Sequence, residues 1–142
     1  MRWRNLKIAS KKVKKGDTFS AEFCITDAIY TGFIELFRDK NPLHTDARFA
    51  RSKGFAEEVM HGNILGGFLS YFIGECLPQK NVIIHSQEIK YIKPVFKNQE
   101  LDLTAEVIGA YPSVNAIEFK FYFNEKRTQT QVAKGKIQIG II

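Results

Sequence analysis

Apolar and polar residues alternate along the second half of the chain. Leu101, Leu103, Ala105 and Val107 take turns with Glu100, Asp102, Thr104 and Glu106. Ile117, Phe119, Phe121 and Phe123 do the same with Glu118, Lys120, Tyr122 and Asn124, and Ala133, Gly135, Ile137, Ile139 and Ile141 are separated by mostly polar neighbours. A period of two sends every second side chain to the same face, so these runs predict three strands with one wet side. The segments between them, GAYPSVN and NEKRTQT, are short, which favours an antiparallel meander. Two further strands are predicted, one through VIIHSQEIKYI before Pro94 and one through DTFSAEFCIT near the start.

The first half reads as helix. TDAIYTGFIELFR offers Thr26 or Asp27 as an N-cap and places Ile29, Phe33, Leu36 and Phe37 on one side. A short helix is predicted after Thr45 or Asp46 through ARFARS, and the longest runs from His61 to Leu77, stopped by Pro78. Ile64, Leu65, Phe68, Leu69, Phe72 and Ile73 give that helix a broad apolar face, while Gly62, Gly66, Ser70 and Gly74 form a second stripe of almost no side chain. With no formal charge before Glu75, it is expected to be buried nearly all round. Each interior glycine lowers helix stability by roughly 1 kcal/mol against alanine, so something must compensate, such as close approach of a backbone or a ligand. An antiparallel sheet curled around this helix would bury it. The expected class is therefore α+β, a single domain spanning residues 1–142.

Charge and composition narrow the picture. The net charge is +6, yet Arg2, Arg4, Lys7, Lys11, Lys12, Lys14 and Lys15 stand in the first sixteen residues without an acid, leaving 14 basic against 15 acidic residues elsewhere. Residues 1–15 are expected to be a solvated basic leading segment, and no basic–aromatic interleaving elsewhere calls for a nucleic-acid partner. The longest uncharged stretch, Val59 to Gly74, contains His61, Asn63 and four glycines, whereas a membrane span needs about 20 apolar residues. Cys24 and Cys76 have neither disulfide nor metal-ligand spacing. No apolar run follows the first charges as in a secretory signal, so a cytoplasmic protein without metal or membrane association is expected.

The unusual chemistry lies in FRDKNPLHTDARFA. Asp39 falls at the end of a predicted helix, where a carboxylate opposes the helix dipole by about 0.3–1 kcal/mol. Asn41-Pro42 then turns the chain so that His44 can come back toward Asp39. A carboxylate and an imidazole sharing one water make an acid–base pair, although Asp-x-Asn-Pro is also ordinary turn composition and Thr45 or Asp46 could simply cap the next helix.

Asp39-Lys40-Asn41-Pro42-Leu43-His44 followed by Phe49-Ala50, then Val59-Met60-His61-Gly62 ahead of a helix, then Lys93-Pro94-Val95, resembles the MaoC-like dehydratase family, and within it the (R)-specific enoyl-CoA hydratases. The resemblance runs from about Gly16 to Val107. It implies a hot-dog fold, a helix wrapped in an antiparallel sheet, assembled as a homodimer that acts on acyl-CoA or acyl-carrier-protein thioesters and adds water to, or removes it from, the C2=C3 bond. It implies that Asp39 and His44 activate water, that the Gly62 N–H serves as the oxyanion donor, and that no cofactor is needed beyond the CoA or phosphopantetheine handle of the substrate. Ser70 is expected to line the site two turns along the helix, and Asn41 to fix the turn. Phe37-Arg38 replaces the family's Ser/Thr-Gly, so Phe37 is expected to reshape the acyl pocket. Asn98-Gln99 replaces Gly-Asp, and Asn98 can take the left-handed conformation such a turn uses. His61 is expected to be structural and His85 to be a core or interface residue. A hot-dog thioesterase and a non-catalytic acyl-thioester-binding module are the alternatives.

Overall fold

The computed structural model describes residues 13–142, so most of the basic leading segment lies outside the described residues. The elements follow in the order β1 (Thr18–Cys24), α1 (Asp27–Phe37), α2 (Pro42–Thr45), α3 (Ala47–Ser52), α4 (Asn63–Tyr71), β2 (Val82–Tyr91), β3 (Glu100–Tyr111), β4 (Ala116–Glu125) and β5 (Gln131–Ile141). One five-stranded sheet forms with the order β1-β3-β4-β5-β2, and every neighbouring pair is antiparallel. The alternation read from sequence becomes register: Leu103 pairs with Phe123 and Val107 with Phe119, while Ala133 lies across from Phe123 and Ile137 from Phe119. All of these are buried.

The sheet's apolar face closes on α4. Phe68 stacks on Phe23 at 4.5 Å, and Phe72 meets Phe19 and Phe119 edge-on, each at 6.3 Å. The ladders shift register at Val107/Gly109 and at Ile84/Ser86. Such bulges bend and twist a sheet, here around the helix. The result is the hot-dog fold, α+β.

Several local expectations are borne out by physical detail. Thr26 caps α1, its Oγ1 accepting from the Ile29 N–H, and Asp46 caps α3, its Oδ1 accepting from the Arg48 and Phe49 N–H groups. Asn98 takes φ 65°, as expected at the substituted turn. The His61–Leu77 helix is regular only over α4 and widens into a π-helical turn at Phe72–Cys76. Leu77 is already extended, as a residue preceding proline prefers.

Other expectations are corrected. The segment predicted as one helix from His61 to Leu77 is not buried all round: Gly67 and Ser70 in α4 and Gly74 in the π-helical turn are exposed. In α1, Ile29 and Phe33 pack on the core, but Leu36 is 78% and Phe37 68% exposed. His85 is exposed in the single chain, so of the two expected places, core or interface, the core is excluded. No helix among the described residues is long and apolar enough to cross a membrane.

Candidate active site

Helix α1 ends in a left-handed residue, Arg38 at φ 59°, whose N–H closes on the Ile34 carbonyl. The reversal releases Asp39 from the helix. Its Oδ1 accepts from the Asn41 N–H at 3.1 Å, and Asn41 Oδ1 in turn accepts from the Leu43 N–H at 3.0 Å, capping α2 with Pro42 in the first turn. Asn41 therefore fixes the turn, as expected. The short helix α2 was read from sequence only as a turn. It swings His44 back to Asp39, with His44 Nε2 standing 4.0 Å from Asp39 Oδ2. The Asp39 side chain is 48% exposed and that of His44 16%.

The tautomer of His44 follows from its neighbours. Its Nδ1 lies 2.6 Å from the Val59 carbonyl, and a carbonyl oxygen only accepts, so Nδ1 carries the hydrogen. In the neutral ring Nε2 is then an acceptor facing the Asp39 carboxylate, itself an acceptor. Two acceptors across 4.0 Å do not bond to each other. They can each take one hydrogen of a single water at about 2.8 Å, leaving the oxygen lone pairs free. Tyr30 completes the support by donating its hydroxyl to the His44 carbonyl at 2.8 Å. Burial, ahead of the effects of Lys97 and Glu58, raises the Tyr30 pKa and keeps the phenol a donor.

The second half of the site is the approach to α4. Val59 N–H bonds to the Leu43 carbonyl at 3.1 Å and Met60 N–H to the Val95 carbonyl at 2.8 Å. Gly62 is already helical at φ −58° and ψ −34°, with no side-chain cap. The first helical bonds come from the Ile64 and Leu65 N–H groups, which reach the His61 and Gly62 carbonyls. The N–H groups of Gly62 and Asn63 have no protein acceptor among the described residues. They form the positive end of the helix dipole and are suited to an oxygen that gains negative charge. Tyr91, the last residue of β2, packs its ring on Gly62: a Cβ there would lie 2.8 Å from Cε1 and 2.9 Å from Cζ.

These parts meet in one cavity of about 460 Å³. Asp39, His44, His61 and Gly62 line one side, Tyr91 to Val95 another, and Phe33, Val59 and Leu65 add apolar surface. Of the residues singled out in the sequence, Asp39, His44 and Gly62 are brought together. Phe37, Asn41 and Ser70 do not line the cavity. Phe37 instead points outward and packs on Phe33 at 4.9 Å. Two lining residues were not expected in the site: Tyr91 had no assigned place, and His61 was expected to be structural. Tyr91 lies three positions before Pro94 in a quoted block, and His61 stands beside Gly62 in the longest uncharged stretch.

Asp39, His44 and His61 each offer a ligand atom, all within 4.8 Å of one another. The two imidazoles, however, lie face to face, 4.0 Å apart and tilted by 31°. Each lone pair stays in its own ring plane, and planes so nearly parallel do not meet at a point about 2.0 Å from both nitrogens, as tetrahedral zinc requires. The geometry suits a hydrogen-bonded water better than a metal.

The family model described as MaoC like domain matches residues 10–130. The chain is 28% identical over 108 residues to a protein of Rhodospirillum rubrum named (R)-specific enoyl-CoA hydratase, covering 76% of this chain and 75% of that protein. It is 36% identical over 75 residues to the protein of the same name from Aeromonas caviae, covering 53% of this chain and 56% of the relative. Its fold superposes on the solved structure of the (R)-hydratase from A. caviae involved in PHA biosynthesis with a TM-score of 0.84 at 23% identity, over 93% of this chain and 99% of that one.

Proposed function

This chain belongs to the MaoC-like domain family, and from that premise we propose that it is an (R)-specific enoyl-thioester hydratase, equally a 3-hydroxyacyl-thioester dehydratase in reverse. The observation that carries the reading is the pair of acceptors, Asp39 Oδ2 and His44 Nε2, facing each other across 4.0 Å beside the unpaired Gly62 N–H. The relatives' names support an acyl-CoA substrate.

In the proposed hydration, one water donates a hydrogen to each member of the pair and turns a lone pair toward C3 of the enoyl group. The O–C3 bond forms, the C2=C3 π electrons move toward the thioester carbonyl, and the Gly62 N–H stabilises the enolate-like oxygen. The proton released by the water is taken by the pair and returned to C2 as the enolate collapses. Delivery of both fragments from one side gives addition on a single face. The residues supply all the acid–base chemistry, and the thioester handle is the sole non-protein group the scheme uses.

We further propose that the working unit is a homodimer. Among the described residues, strand β2 bonds only to β5 and its other edge is open, with Ile83 49%, Tyr91 47% and the following Ile92 41% exposed. A ten-residue open edge carrying apolar side chains is prone to pair with another strand, and a second copy of the same strand is self-complementary. The two free, half-buried thiols fit a reducing compartment such as the cytoplasm.

The test is loss of the enoyl-thioester absorbance of crotonyl-CoA with wild type, Asp39→Asn and His44→Ala. Removing one member of the pair is expected to lower the rate by about 10²- to 10⁴-fold without unfolding the protein. A wild type silent on short, medium and long enoyl groups, whether on CoA or on carrier protein, refutes the reading. Thiol release from a saturated acyl-CoA would favour a thioesterase.

A further inference from the structure

The two halves of the site come from separate stretches of chain. The water-holding pair stands on residues 39–44, and the Gly62 N–H stands at the start of α4. Their spacing matters, because a displacement of about 1 Å can lower a rate about 100-fold. Three contacts tie the halves together: Val59 N–H to the Leu43 carbonyl at 3.1 Å, His44 Nδ1–H to the Val59 carbonyl at 2.6 Å, and His61 Nε2–H to the Asp39 main-chain carbonyl at 2.9 Å. The first two hold α2. Asp39 belongs to no helix and follows the left-handed Arg38. Among the described residues, the His61 bond is the one that reaches its carbonyl, across 22 positions of sequence.

His61 also fixes the plane of His44. It is 2% exposed, and its ring lies 4.0 Å from that of His44 and 4.7 Å from that of Phe33. Because Nε2 must carry a hydrogen to reach a carbonyl, Nδ1 is a bare acceptor in the neutral ring, and it is buried with no partner among the described residues. A histidine serving only to fill the core has no need of this arrangement, since an apolar ring would fill the same space without leaving a nitrogen unpaired.

We propose that His61 is a positioning residue for the hydration step. Its N–H sets where Asp39 stands, its ring sets the plane of His44, and its peptide bond to Gly62 ties both to the oxyanion donor. The inference rests on the hydratase reading.

Two substitutions separate the two contacts. His61→Gln keeps an N–H at about the reach of Nε2 and removes the ring, whereas His61→Phe keeps a ring and removes the N–H. With crotonyl-CoA, each is expected to lower kcat by about 10- to 100-fold. KM should stay close to the wild-type value, because the lost contact acts on the transition state rather than on substrate binding. His61→Ala, lacking both, should fall furthest. A folded His61→Gln and a folded His61→Phe that both keep kcat within about twofold of wild type, with only a lower melting temperature, overturn the proposal.

Should the variants not fold, long-range ¹H–¹⁵N correlation on the wild type decides. His61 in the Nε2–H form with His44 in the Nδ1–H form upholds the clamp. His61 in the Nδ1–H form, which cannot donate to the Asp39 carbonyl, overturns it. A wild type that hydrates no enoyl thioester removes the hydratase reading, while the imidazole spectrum still reports on the clamp by itself.

Discussion

Gly62→Ala tests the oxyanion half of the site with one methyl group. The backbone at Gly62 is right-handed helical, so alanine meets no conformational penalty there. The conflict is with Tyr91: the new Cβ would lie 2.8 Å from Cε1, 2.9 Å from Cζ and 3.3 Å from Cδ1. Carbon atoms rest at about 3.5–4.0 Å, so the ring must retreat by about 0.7 Å or more. Overpacking of this kind costs about 1–3 kcal/mol. In the single chain Tyr91 is 47% exposed and can swing outward, which favours the lower end; pairing of β2 with a second copy would restrain the ring and raise the cost. For a domain of this size, about 1 kcal/mol corresponds to a fall in melting temperature of roughly 2–8 °C. Activity should suffer far more. On the proposed reading, the methyl or the displaced ring crowds the space in front of the Gly62 N–H where the thioester carbonyl must arrive, and loss of one oxyanion donor lowers kcat by about 10²- to 10³-fold. The assay is kcat on crotonyl-CoA beside a thermal melt, with Gly62→Ala/Tyr91→Ala as a companion. A single variant within about threefold of wild type would sink the assignment of Gly62. Recovery in the double variant would show that the displaced ring blocks the N–H, and a defect that persists would show that the methyl does.

Three further outcomes follow from local geometry. Asn41→Ala removes the acceptor of the Leu43 N–H and should cost about 1 kcal/mol as a lost helix cap; the melt should show it, kcat should drop because α2 carries His44, and Asn41→Asp should restore both. Gly135→Ala would drive a Cβ into the Glu88 carbonyl oxygen on β2 and to 2.8 Å from Phe121 Cζ. A backbone atom cannot swing aside, so the cost should reach at least about 3 kcal/mol, seen as insolubility or a melting temperature more than about 10 °C lower. Burial raises the Cys76 thiol from 9.0 to about 11, so iodoacetamide at pH 8 should alkylate it about 100-fold more slowly than an unperturbed thiol; equal rates by mass spectrometry would contradict that environment.

The features legible in the sequence are those set by short-range rules. A period of two fixed which residues of β3, β4 and β5 face inward, and cap chemistry marked Thr26 and Asp46. The Asp39–His44 pair was legible because Asp39 breaks the rule for a helix end while Asn41-Pro42 supplies a turn of known effect. His61 was harder. Its role depends on a bond to a carbonyl 22 residues away and on a ring contact between segments, and neither leaves a periodic trace. Histidine before a helix is equally compatible with plain packing.

Ser70 and Phe37, which do not line the cavity of the single chain, show how far a helical period can be carried. Positions four apart advance about 400° around a helix, so a stripe at intervals of four turns by about 40° at each step. Gly62 faces the cavity, but Ser70, two steps on, has rotated by about 80° and is exposed. Phe37 fails for a complementary reason. It shares a stripe with Ile29 and Phe33, yet only those two lie over the core, and the last turn of α1 carries Leu36 and Phe37 past it. Periodicity tells which side of a helix is apolar; it does not tell how far the surface beneath extends. The overhang also has a consequence for substrate choice. On the proposed reading, an acyl group held in this cavity meets Phe33, Val59 and Leu65 and not Phe37, so truncating Phe37 should leave the preference for acyl length unchanged, and a shifted preference would show that the acyl group leaves the cavity toward α1.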